Sequence, residues 1–470
     1  MKRFLLVLGS NWHLSLAEID LILRNPPFKG RIIDYSANIA IVEIEEGLNP
    51  KTYVNNLELL QFYLGGILKI AVILDFIDIS KVKSAFPELV VSYKKIKPFR
   101  TNISKKLNDL LPKVFPKIEN ENIFFAVSIY PNLYIDDYYK SILVKHFLPF
   151  LNENFSRLLK ERNARKAIFY KYPQRNMETG NLNPIFPHHV IRYNLLEKNR
   201  AEIIFGFTEE GCYIARTYTV TNPNFQKKID EKRPFTSFER SIPPKFAKIM
   251  LNFLNLYENK ESKRILDPFC GSGTILIFAY INGFEVYGAD IKNKYVEHTI
   301  KNLRWVGKIL EEENIPNFKE RIKNIDIKDL INIFKQSSFD GICTEPIFGP
   351  FYKQKPDFKD AKTLLDTKIR PNFEELIKIA YKLLKPGKRL CLTSPVIETV
   401  ENLEVQLPLQ KIAEKHKLNL IPIFKKNRIF SKSNKLLQLN LNSLKSIIES
   451  KKNQIIKRKF YLFQKLDNNK

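Results

Sequence analysis

Short apolar runs bounded by polar and turn-forming residues occur at several places in the first 220 residues and predict β-strands. Two of these runs flank Ser36-Ala37-Asn38, which predicts a hairpin turn. Ser15 and Glu18 have the spacing of a capping box, so a helix is expected to open there and to run to about Leu23. The predicted strands are Phe4–Leu8, Ile32–Tyr35, Ile39–Ile44, Phe124–Tyr130, Ala201–Phe207 and Cys212–Tyr218. This mixture predicts an α+β region.

From residue 264 onward, strand and helix patterns take turns along the chain. A helix over Ile275–Asn282 is predicted between the strands Arg264–Asp267 and Glu285–Ala289. Further strands are predicted at Arg321–Ile325, Phe339–Cys343, Arg389–Thr393 and Leu418–Phe424. Such alternation is typical of a doubly wound α/β sheet, so a Rossmann-like domain is expected in the C-terminal half.

The length of 470 residues suits about three structural units. Chain-breaking prolines concentrate between residues 176 and 245, and this stretch is interpreted as a linker region that also carries one strand pair. Pro243-Pro244 is expected to open a helix that ends near Tyr257, since proline is tolerated in the first helical turn. The predicted division is 1–60 and 61–175 as α+β parts, 176–245 as linker, and 246–470 as the α/β domain.

Positive charge is the main compositional feature, because 77 Lys and Arg stand against 50 Asp and Glu, a net charge of +27. Such an excess favours a polyanionic partner, with nucleic acid first and an anionic membrane surface second. The alternative explanation of the positive charge is a general compositional bias of the chain toward Lys, Asn and Ile. Uneven distribution argues against it: residues 411–470 hold 16 basic and 3 acidic residues. A second basic segment comprises Arg157, Lys160, Arg162, Arg165, Lys166, Lys171 and Arg175.

Several classes of protein and site are disfavoured. The four cysteines form no C-x-x-C pair, which excludes a disulfide framework and a zinc ribbon and indicates a reducing compartment. The longest apolar stretch, 63–77, contains Lys69 and Asp75 and is too short to span a membrane. The N-terminus lacks the apolar length and cleavage site of a signal peptide, so a cytoplasmic protein is expected. His188-His189 has no acidic or cysteine partner at ligand spacing, and no metal site is predicted.

The sharpest motif is Asp267-Pro-Phe269-Cys-Gly271-Ser-Gly273-Thr274, at the junction of a predicted strand and helix. Two glycines allow a tight turn and close approach of a ligand to the helix amides. The motif lacks the lysine of a phosphate-binding loop, and Leu276 stands where a dinucleotide fingerprint has its third glycine. S-adenosylmethionine is the ligand class that remains.

Three carboxylates suit that cofactor. Asp290 ends the next strand, 19 residues after Gly271, where it can accept both ribose hydroxyls. Asp267 would meet the ammonium group, and Asp326, after the third strand, could accept from the adenine amine. The alternative is that an acid closing a strand only caps a helix, and for Asp326 the two interpretations weigh about equally.

The motif resembles the first motif of class I S-adenosylmethionine-dependent amino methyltransferases. More narrowly, most of the chain resembles the THUMP-containing tRNA guanosine N2-methyltransferases that act at position 10 of tRNA. Weaker matches occur in the same order, at Phe4–Glu18, Leu64–Ile70, Phe125–Tyr130 and Pro243–Ala247. The resemblance implies a THUMP-like RNA-binding region over residues 61–175, a class I methyltransferase domain over 246–470, and tRNA as the partner. It is compatible with a small activator subunit and implies no membrane.

The resemblance also places the catalytic turn. In amino methylases the fourth strand ends in (Asp/Asn)-Pro-Pro-(Tyr/Phe), and Glu345-Pro346-Ile347-Phe348 occupies that position. Glu345 and the Pro346 carbonyl would each accept one N–H of the target amine, and Phe348 would stack on the base. Glu345 replaces the shorter acid and Ile347 replaces the second proline, so the location is better supported than the geometry. Neither Cys270 nor Cys343 is placed as a nucleophile for C5 methylation.

Two rival interpretations stay open at this point. The same motifs serve methylases that act on the amino groups of adenine or cytosine in DNA. A non-catalytic RNA-binding protein with a degenerate methylase fold is the second alternative. The N-terminal resemblance to an RNA-binding region favours the tRNA enzyme over the DNA methylase, while the non-catalytic alternative stays open.

Overall fold

The structure is a computed structural model of the 470-residue chain. It describes residues 1–24, 28–45, 50–132, 137–171, 185–236, 241–257, 262–424, 429, 444–451 and 453–467. The chain forms two compact units, an N-terminal unit made mainly of residues 1–62 and 66–224, and a C-terminal unit made mainly of residues 225–426 and 442–470.

The N-terminal unit is built on one mixed sheet. Its strands are β1 Lys2–Leu8, β2 Gly30–Tyr35, β3 Ile39–Ile44, β4 Ile67–Asp78, β5 Asn122–Tyr130, β6 Lys166–Phe169, β7 Arg200–Phe207 and β8 Gly211–Val220. Their spatial order is β2-β3-β1-β4-β8-β7-β5-β6. The pairs from β2 to β7 are antiparallel, whereas β5 is parallel to both β7 and β6.

Helices cover this sheet, and one apolar cluster joins α3, α4 and α6 to strands β5, β7 and β8. The helices are α1 Trp12–Ile22, α2 Pro50–Tyr63, α3 Ile79–Ala85, α4 Tyr93–Val114, α5 Asp137–Ile142, α6 Leu148–Glu161 and α7 Pro187–Arg192. A π-helical turn, Leu143–Phe147, connects α5 to α6.

The expected start of the first helix is wrong by one turn. Helix α1 begins at Trp12, and the Asn11 side chain accepts the hydrogen bond that caps it, from the Leu14 amide at 3.1 Å. Ser15 and Glu18 instead bind the backbone of Gly66, which precedes β4. Ser15 Oγ donates to its carbonyl at 2.8 Å, and Glu18 Oε2 accepts from its amide at 2.8 Å. The two side chains tie α1 to the start of β4.

The structure also corrects the expected linker. The strand pair β7 and β8, assigned by sequence to a connecting region, occupies the middle of the N-terminal sheet, and the compact unit extends to residue 224. The expected parts 1–60 and 61–175 likewise contribute to this one sheet, since β1 pairs with β4. A continuous sheet buries apolar faces that separate parts would leave exposed.

The C-terminal unit contains the predicted α/β sheet. Its strands are β9 Arg264–Asp267, β10 Glu285–Asp290, β11 Ile322–Asn324, β12 Phe339–Thr344, β13 Leu384–Glu398, β14 Glu404–Gln406, β15 Leu418–Leu420, β16 Ser446–Glu449 and β17 Ile456–Lys465. The main order is β11-β10-β9-β12-β13-β17-β15, with β14 paired to β13 and β16 to β17. Strands β9 to β13 run parallel, and β17 is antiparallel to β13 and β15.

Helices precede these strands and alternate with them in the chain. They are α8 Pro223–Glu231, α9 Pro244–Phe253, α10 Thr274–Ile281, α11 Asn293–Ile309, α12 Phe318–Arg321, α13 Leu330–Ile333, α14 Phe358–Leu364, α15 Arg370–Leu383 and α16 Leu409–Lys415. A 3₁₀ turn at Ile327–Asp329 and a π turn at Leu365–Ile369 complete them. No described helix is long and apolar enough to cross a bilayer.

Candidate active site

The glycine motif forms the turn between β9 and α10, at the carboxyl edge of the parallel strands. Gly271 and Gly273 both have left-handed backbones, with φ of +51° and +83°. A Cβ on Gly273 would lie 2.9 Å from Thr299 Cγ2, so packing requires glycine there. A Cβ on Gly271 would meet no heavy atom within 4 Å. The turn is therefore closed against α11 at Gly273 and open at Gly271, where a ligand can approach the backbone.

Helix α11 holds the turn in place. Thr299 Oγ1 donates to the Gly271 carbonyl at 2.8 Å, and Asn302 Nδ2 donates to the Ser272 carbonyl at 2.9 Å. These bonds satisfy carbonyls that the tight turn leaves without backbone partners.

Asp290, at the end of β10, contacts the same turn. Its Oδ2 accepts from the Gly271 amide at 3.1 Å, and its Oδ1 accepts from the Lys292 amide at 2.9 Å. Burial raises the pKa of Asp290, and these two amides oppose the shift. Each oxygen has a second lone pair, so the carboxylate can still accept hydroxyl groups of a ligand.

Asp267 is fully buried at the end of β9. Its Oδ1 accepts from Thr344 Oγ1 at 2.6 Å and from the Phe269 amide at 3.1 Å. Its Oδ2 accepts no hydrogen bond from the described residues. Burial raises the pKa of Asp267 to about 7, although the Thr344 and Phe269 bonds favour the ionised form. A cationic ligand group would stabilise that form further.

A segment that the sequence interpretation missed borders the same turn. Arg233 is only 4% exposed, and its Nη1 donates to Thr274 Oγ1, at the first residue of α10, over 2.8 Å. Its Nε is buried and has no hydrogen-bond partner among the described residues. Burial lowers the pKa of Arg233, with Asp230 opposing. Ser241 Oγ lies 2.9 Å from Ser272 Oγ. A buried guanidinium with a spare donor suits an anionic ligand group.

The geometry of Asp326 agrees with its interpretation as a helix cap. It caps the 3₁₀ turn after β11, where its Oδ1 accepts from the Lys328 amide at 3.1 Å. Its Oδ2 lies 3.8 Å from the Lys328 ammonium. The β10–β11 register pairs Asp290 with Asn324, so Asp326 lies beyond Asp290 at the same sheet edge.

The second candidate turn follows β12. Glu345 Oε2 accepts from Thr393 Oγ1 at 2.9 Å and from Arg458 Nε at 2.9 Å. The Arg458 guanidinium lies 6.0 Å from the centre of the half-buried Phe348 ring. Thr344, the last residue of β12, bonds to Asp267, so this turn is tied directly to the glycine turn.

Beyond Glu345 the chain presents both a backbone acceptor and exposed apolar groups. No described residue donates a hydrogen bond to the Pro346 carbonyl. Ile347 is 57% exposed and Phe351 is 82% exposed. Gly349, with φ of +113°, turns the chain between them. An amine acceptor and an exposed aromatic ring thus lie within one short loop.

Two family models match the chain. A model described as a methyltransferase domain matches residues 259–456, which include every strand from β9 to β16. The C-terminal unit has the class I methyltransferase fold. A second model, described as a DNA methylase, matches residues 89–302 and so includes the glycine turn of this methyltransferase unit.

Two curated relatives of this chain carry the same name. The chain is 30% identical over 188 residues to a tRNA (guanine(10)-N2)-dimethyltransferase of Methanothermobacter thermautotrophicus, a match over 40% of this chain and 48% of the relative. It is 31% identical over 126 residues to the enzyme of that name from Pyrococcus abyssi, over 27% of this chain and 33% of the relative. The matches span less than half the length of these two relatives.

Among solved structures, the chain is similar to TrmN from Thermus thermophilus. That comparison has a TM-score of 0.49 and 12% identity, and it covers 99% of this chain and 100% of the other.

The methyltransferase unit brings most of the predicted site residues together. Asp267, Phe269, Gly271, Gly273, Thr274 and Asp290 form or contact the glycine turn, and Glu345, Pro346 and Phe348 form the turn after β12. Cys270 and Cys343 are buried, and burial raises the pKa of both thiols well above the usual value, as expected for residues that are not nucleophiles. The sequence interpretation missed Arg233, Thr393 and Arg458, which have no motif of their own.

His188 and His189 lie on α7 with ring centres 4.0 Å apart, beside the Phe186 ring. No group of metal-binding side chains occurs among the residues that the structure describes.

Proposed function

We propose that this protein transfers a methyl group from S-adenosylmethionine to the exocyclic N2 of a guanosine in tRNA, at position 10. The 2.6 Å bond between Thr344 and Asp267 carries the proposal, because it joins an amine-accepting turn to the glycine turn. The names of the curated relatives supply the substrate and the position. Since the chain spans less than half of those relatives, substrate and partner are part of the proposal.

The residues of the glycine turn fit the cofactor. The open face of Gly271 admits it, Asp290 accepts the ribose hydroxyls, and Asp267 pairs with the ammonium group through its Oδ2. Arg233 and the first amides of α10 are placed for the carboxylate group. Asp326 could accept from the adenine amine with a lone pair that its capping bond leaves. When bound, S-adenosylmethionine supplies an electrophilic methyl group on a sulfonium.

The turn after β12 would orient the nucleophile. The lone pair of the guanine amine is delocalised into the ring, so the amine reacts poorly unless it is positioned. Glu345 and the Pro346 carbonyl would each accept one N–H, which directs the lone pair at the methyl carbon. The amine would gain the methyl group from the sulfonium, whose C–S electron pair would stay on sulfur, and would lose one proton to solvent.

Two aromatic rings could hold a base that has left its helix stack. Phe348 lies within the turn, and Phe351 is exposed three residues later. Stacking on such rings offsets part of the cost of flipping the base.

Lysines of α4 are candidate phosphate contacts. Lys94, Lys95, Lys97 and Lys105 are exposed, and no carboxylate of the described residues pairs with them. In the basic segment 157–175, Arg157, Arg162 and Arg165 contact Glu161, Asn108 and Asn122. Its lysines Lys160, Lys166 and Lys171 are exposed, and Arg175 lies outside the described residues. In the C-terminal basic segment, Lys457 pairs with Glu398 and Glu404. A small activator subunit is compatible with this arrangement.

The test uses the purified chain, labelled S-adenosylmethionine and an unmodified tRNA transcript, followed by nucleoside analysis. We expect label in N2-methylated guanosine at position 10, and none in a transcript with adenosine there. Glu345→Ala should lower kcat at least about 100-fold while S-adenosylhomocysteine binding stays within twofold of wild type. Asp290→Ala should weaken that binding about tenfold or more. The opposite pattern would overturn the assigned roles.

A second candidate is methylation of an amino group in DNA, which the DNA methylase model over residues 89–302 favours. The same assay with duplex DNA distinguishes it, because label would appear in N6-methyladenine or N4-methylcytosine. Binding of both tRNA and cofactor without label in either nucleic acid would instead indicate a non-catalytic RNA-binding protein.

A further inference from the structure

Two side chains from neighbouring strands grip the Glu345 carboxylate. Thr393 on β13 and Arg458 on β17 both bind Oε2, each over 2.9 Å. These strands are antiparallel neighbours, with Thr393 opposite Phe460 and Pro395 opposite Arg458. The carboxylate is therefore fixed from the sheet rather than from its own loop.

The grip is asymmetric. Among the described residues, Oε2 accepts two hydrogen bonds of 2.9 Å, whereas Oε1 accepts one, from Arg458 Nη2 at 3.4 Å. A carboxylate oxygen can accept two hydrogen bonds, so Oε2 is filled and Oε1 has accepting capacity left. The oxygen left for a substrate N–H is thus Oε1.

Arg458 is itself held between two acids. Its Nη1 lies 3.8 Å from Glu449 Oε2, and Glu449 stands opposite Arg458 in the β16–β17 register. The side chains of Glu345 and Arg458 are 12% and 18% exposed, so their pairing is shielded from solvent more than a surface ion pair is. The planar guanidinium can bind one carboxylate in a fixed orientation, which an ammonium cannot do.

The contact with Arg458 matters because Glu345 stands where the usual motif has the shorter aspartate or asparagine. Glutamate has one more rotatable bond than aspartate and loses more side-chain entropy when it is ordered. We propose that Arg458 is a positioning residue that fixes Glu345 and leaves Oε1 to accept the N–H of the target amine. This inference rests on the proposed function and assigns a residue that acts through Glu345.

The test compares Arg458 with its neighbour on the same strand. Arg458→Met should lower kcat for tRNA methylation about 100-fold, since a displacement of about 1 Å can cost that much. The KM for tRNA and the affinity for S-adenosylhomocysteine should change less than about twofold, and Arg458→Lys should recover part of kcat. Lys457→Met is the matched control, because Lys457 is 19% exposed and also pairs with two glutamates, Glu398 and Glu404. It should keep the wild-type kcat.

A double-mutant comparison adds a measurement that general destabilisation would not mimic. If Arg458 acts only through Glu345, then Glu345→Gln with Arg458→Met should be no slower than Glu345→Gln alone. Wild-type kcat in Arg458→Met, additive losses in the double variant, or an equal loss in Lys457→Met would each overturn the inference. In those cases the proposed function survives if Glu345→Ala is inactive. A wild-type protein that methylates no tRNA would overturn both.

Discussion

At the scale of single residues, Asp267 combines a structural contact with a proposed ligand contact. Its Oδ1 links β9 to β12 through Thr344, while its Oδ2 is left for the ammonium group. Because burial raises its pKa to about 7, a substantial fraction of the free protein carries a protonated Asp267 near neutral pH. Protonation and cofactor binding therefore compete.

This competition predicts opposite pH dependences for affinity and stability. Below pH 7 the binding of S-adenosylhomocysteine must release a proton, so affinity should fall by up to about tenfold per pH unit. The raised pKa has the reverse effect on the free protein: Asp267 stabilises the fold below about pH 3.8, and that contribution is lost as pH rises to about 7. Calorimetry between pH 5.5 and 8 measures the first slope. Asp267→Asn should bind more weakly with a flat profile; an unchanged slope would refute the assignment.

Arg233 predicts a selective loss of affinity. Arg233→Met should weaken S-adenosylhomocysteine binding about tenfold or more, since a charge-assisted hydrogen bond to the carboxylate disappears. It should leave 5′-methylthioadenosine binding unchanged, because that ligand lacks the amino-acid part. Equilibrium titration with both ligands measures the difference. Equal weakening of both would mean that Arg233 only maintains the turn.

At the scale of elements, the sequence predicted structure well where the signal is local. Strands β9 to β13 were predicted from strand patterns that alternate with helix patterns along the chain. The glycine turn was predicted from one contiguous motif. Strand β17 was missed because it contains Lys457, Arg458 and Lys459 and was interpreted only as basic surface. Its apolar part is buried between β13 and β15, and no local pattern states that pairing. Arg458 and Thr393 were missed for the same reason, since their proximity to Glu345 depends on long-range strand order.

Local capping rules failed at α1 for a related reason. Ser15 and Glu18 satisfy the spacing of a capping box, yet they bind the backbone at Gly66, just before β4. A tertiary contact thus took the side chains that the local rule assigned to the helix start.

One buried network should dominate the stability of the N-terminal sheet. Lys69 on β4 forms an ion pair with Glu202 on β7, and Glu202 also accepts from Ser128 at 2.5 Å and from Thr217 at 2.6 Å. Both charged side chains are 0% exposed. Lys69→Met should lower the free energy of unfolding by about 3–5 kcal/mol, because it leaves a buried unpaired carboxylate.

The matched control for this network is Lys106→Met. Lys106 pairs with Asp75 at 2.7 Å, but the two side chains are 38% and 30% exposed, so the loss should be under about 1 kcal/mol. Urea unfolding of both variants, with loss of the N-terminal transition followed separately, gives the comparison. Equal losses would show that burial does not set the strength of the Lys69 pair.

At the scale of the whole molecule, the net charge is larger than the positive charge that is free to bind a partner. The chain carries +27, but several cations of β17 are engaged within the protein. The exposed lysines of α4 are a better guide to phosphate binding than the total.

Replacing Lys94, Lys95 and Lys97 together by alanine should weaken tRNA binding and reduce the slope of log affinity against log salt by about 2–3. A triple variant of the glutamate-paired Lys117, Lys227 and Lys378 changes net charge equally and should leave the slope nearly unchanged. Binding measured across a salt series tests both. Equal effects of the two variants would mean that total charge alone governs binding.

The place of β17 in the sheet has a consequence for synthesis on the ribosome. This strand comes after every other strand described in the chain, yet it inserts between β13 and β15 and carries Arg458 to Glu345. Until residues 456–465 have been translated, β13 and β15 lack their common neighbour and Glu345 lacks its guanidinium partner. A nascent chain can therefore assemble the glycine turn early, while the proposed methyl transfer must await synthesis of β17.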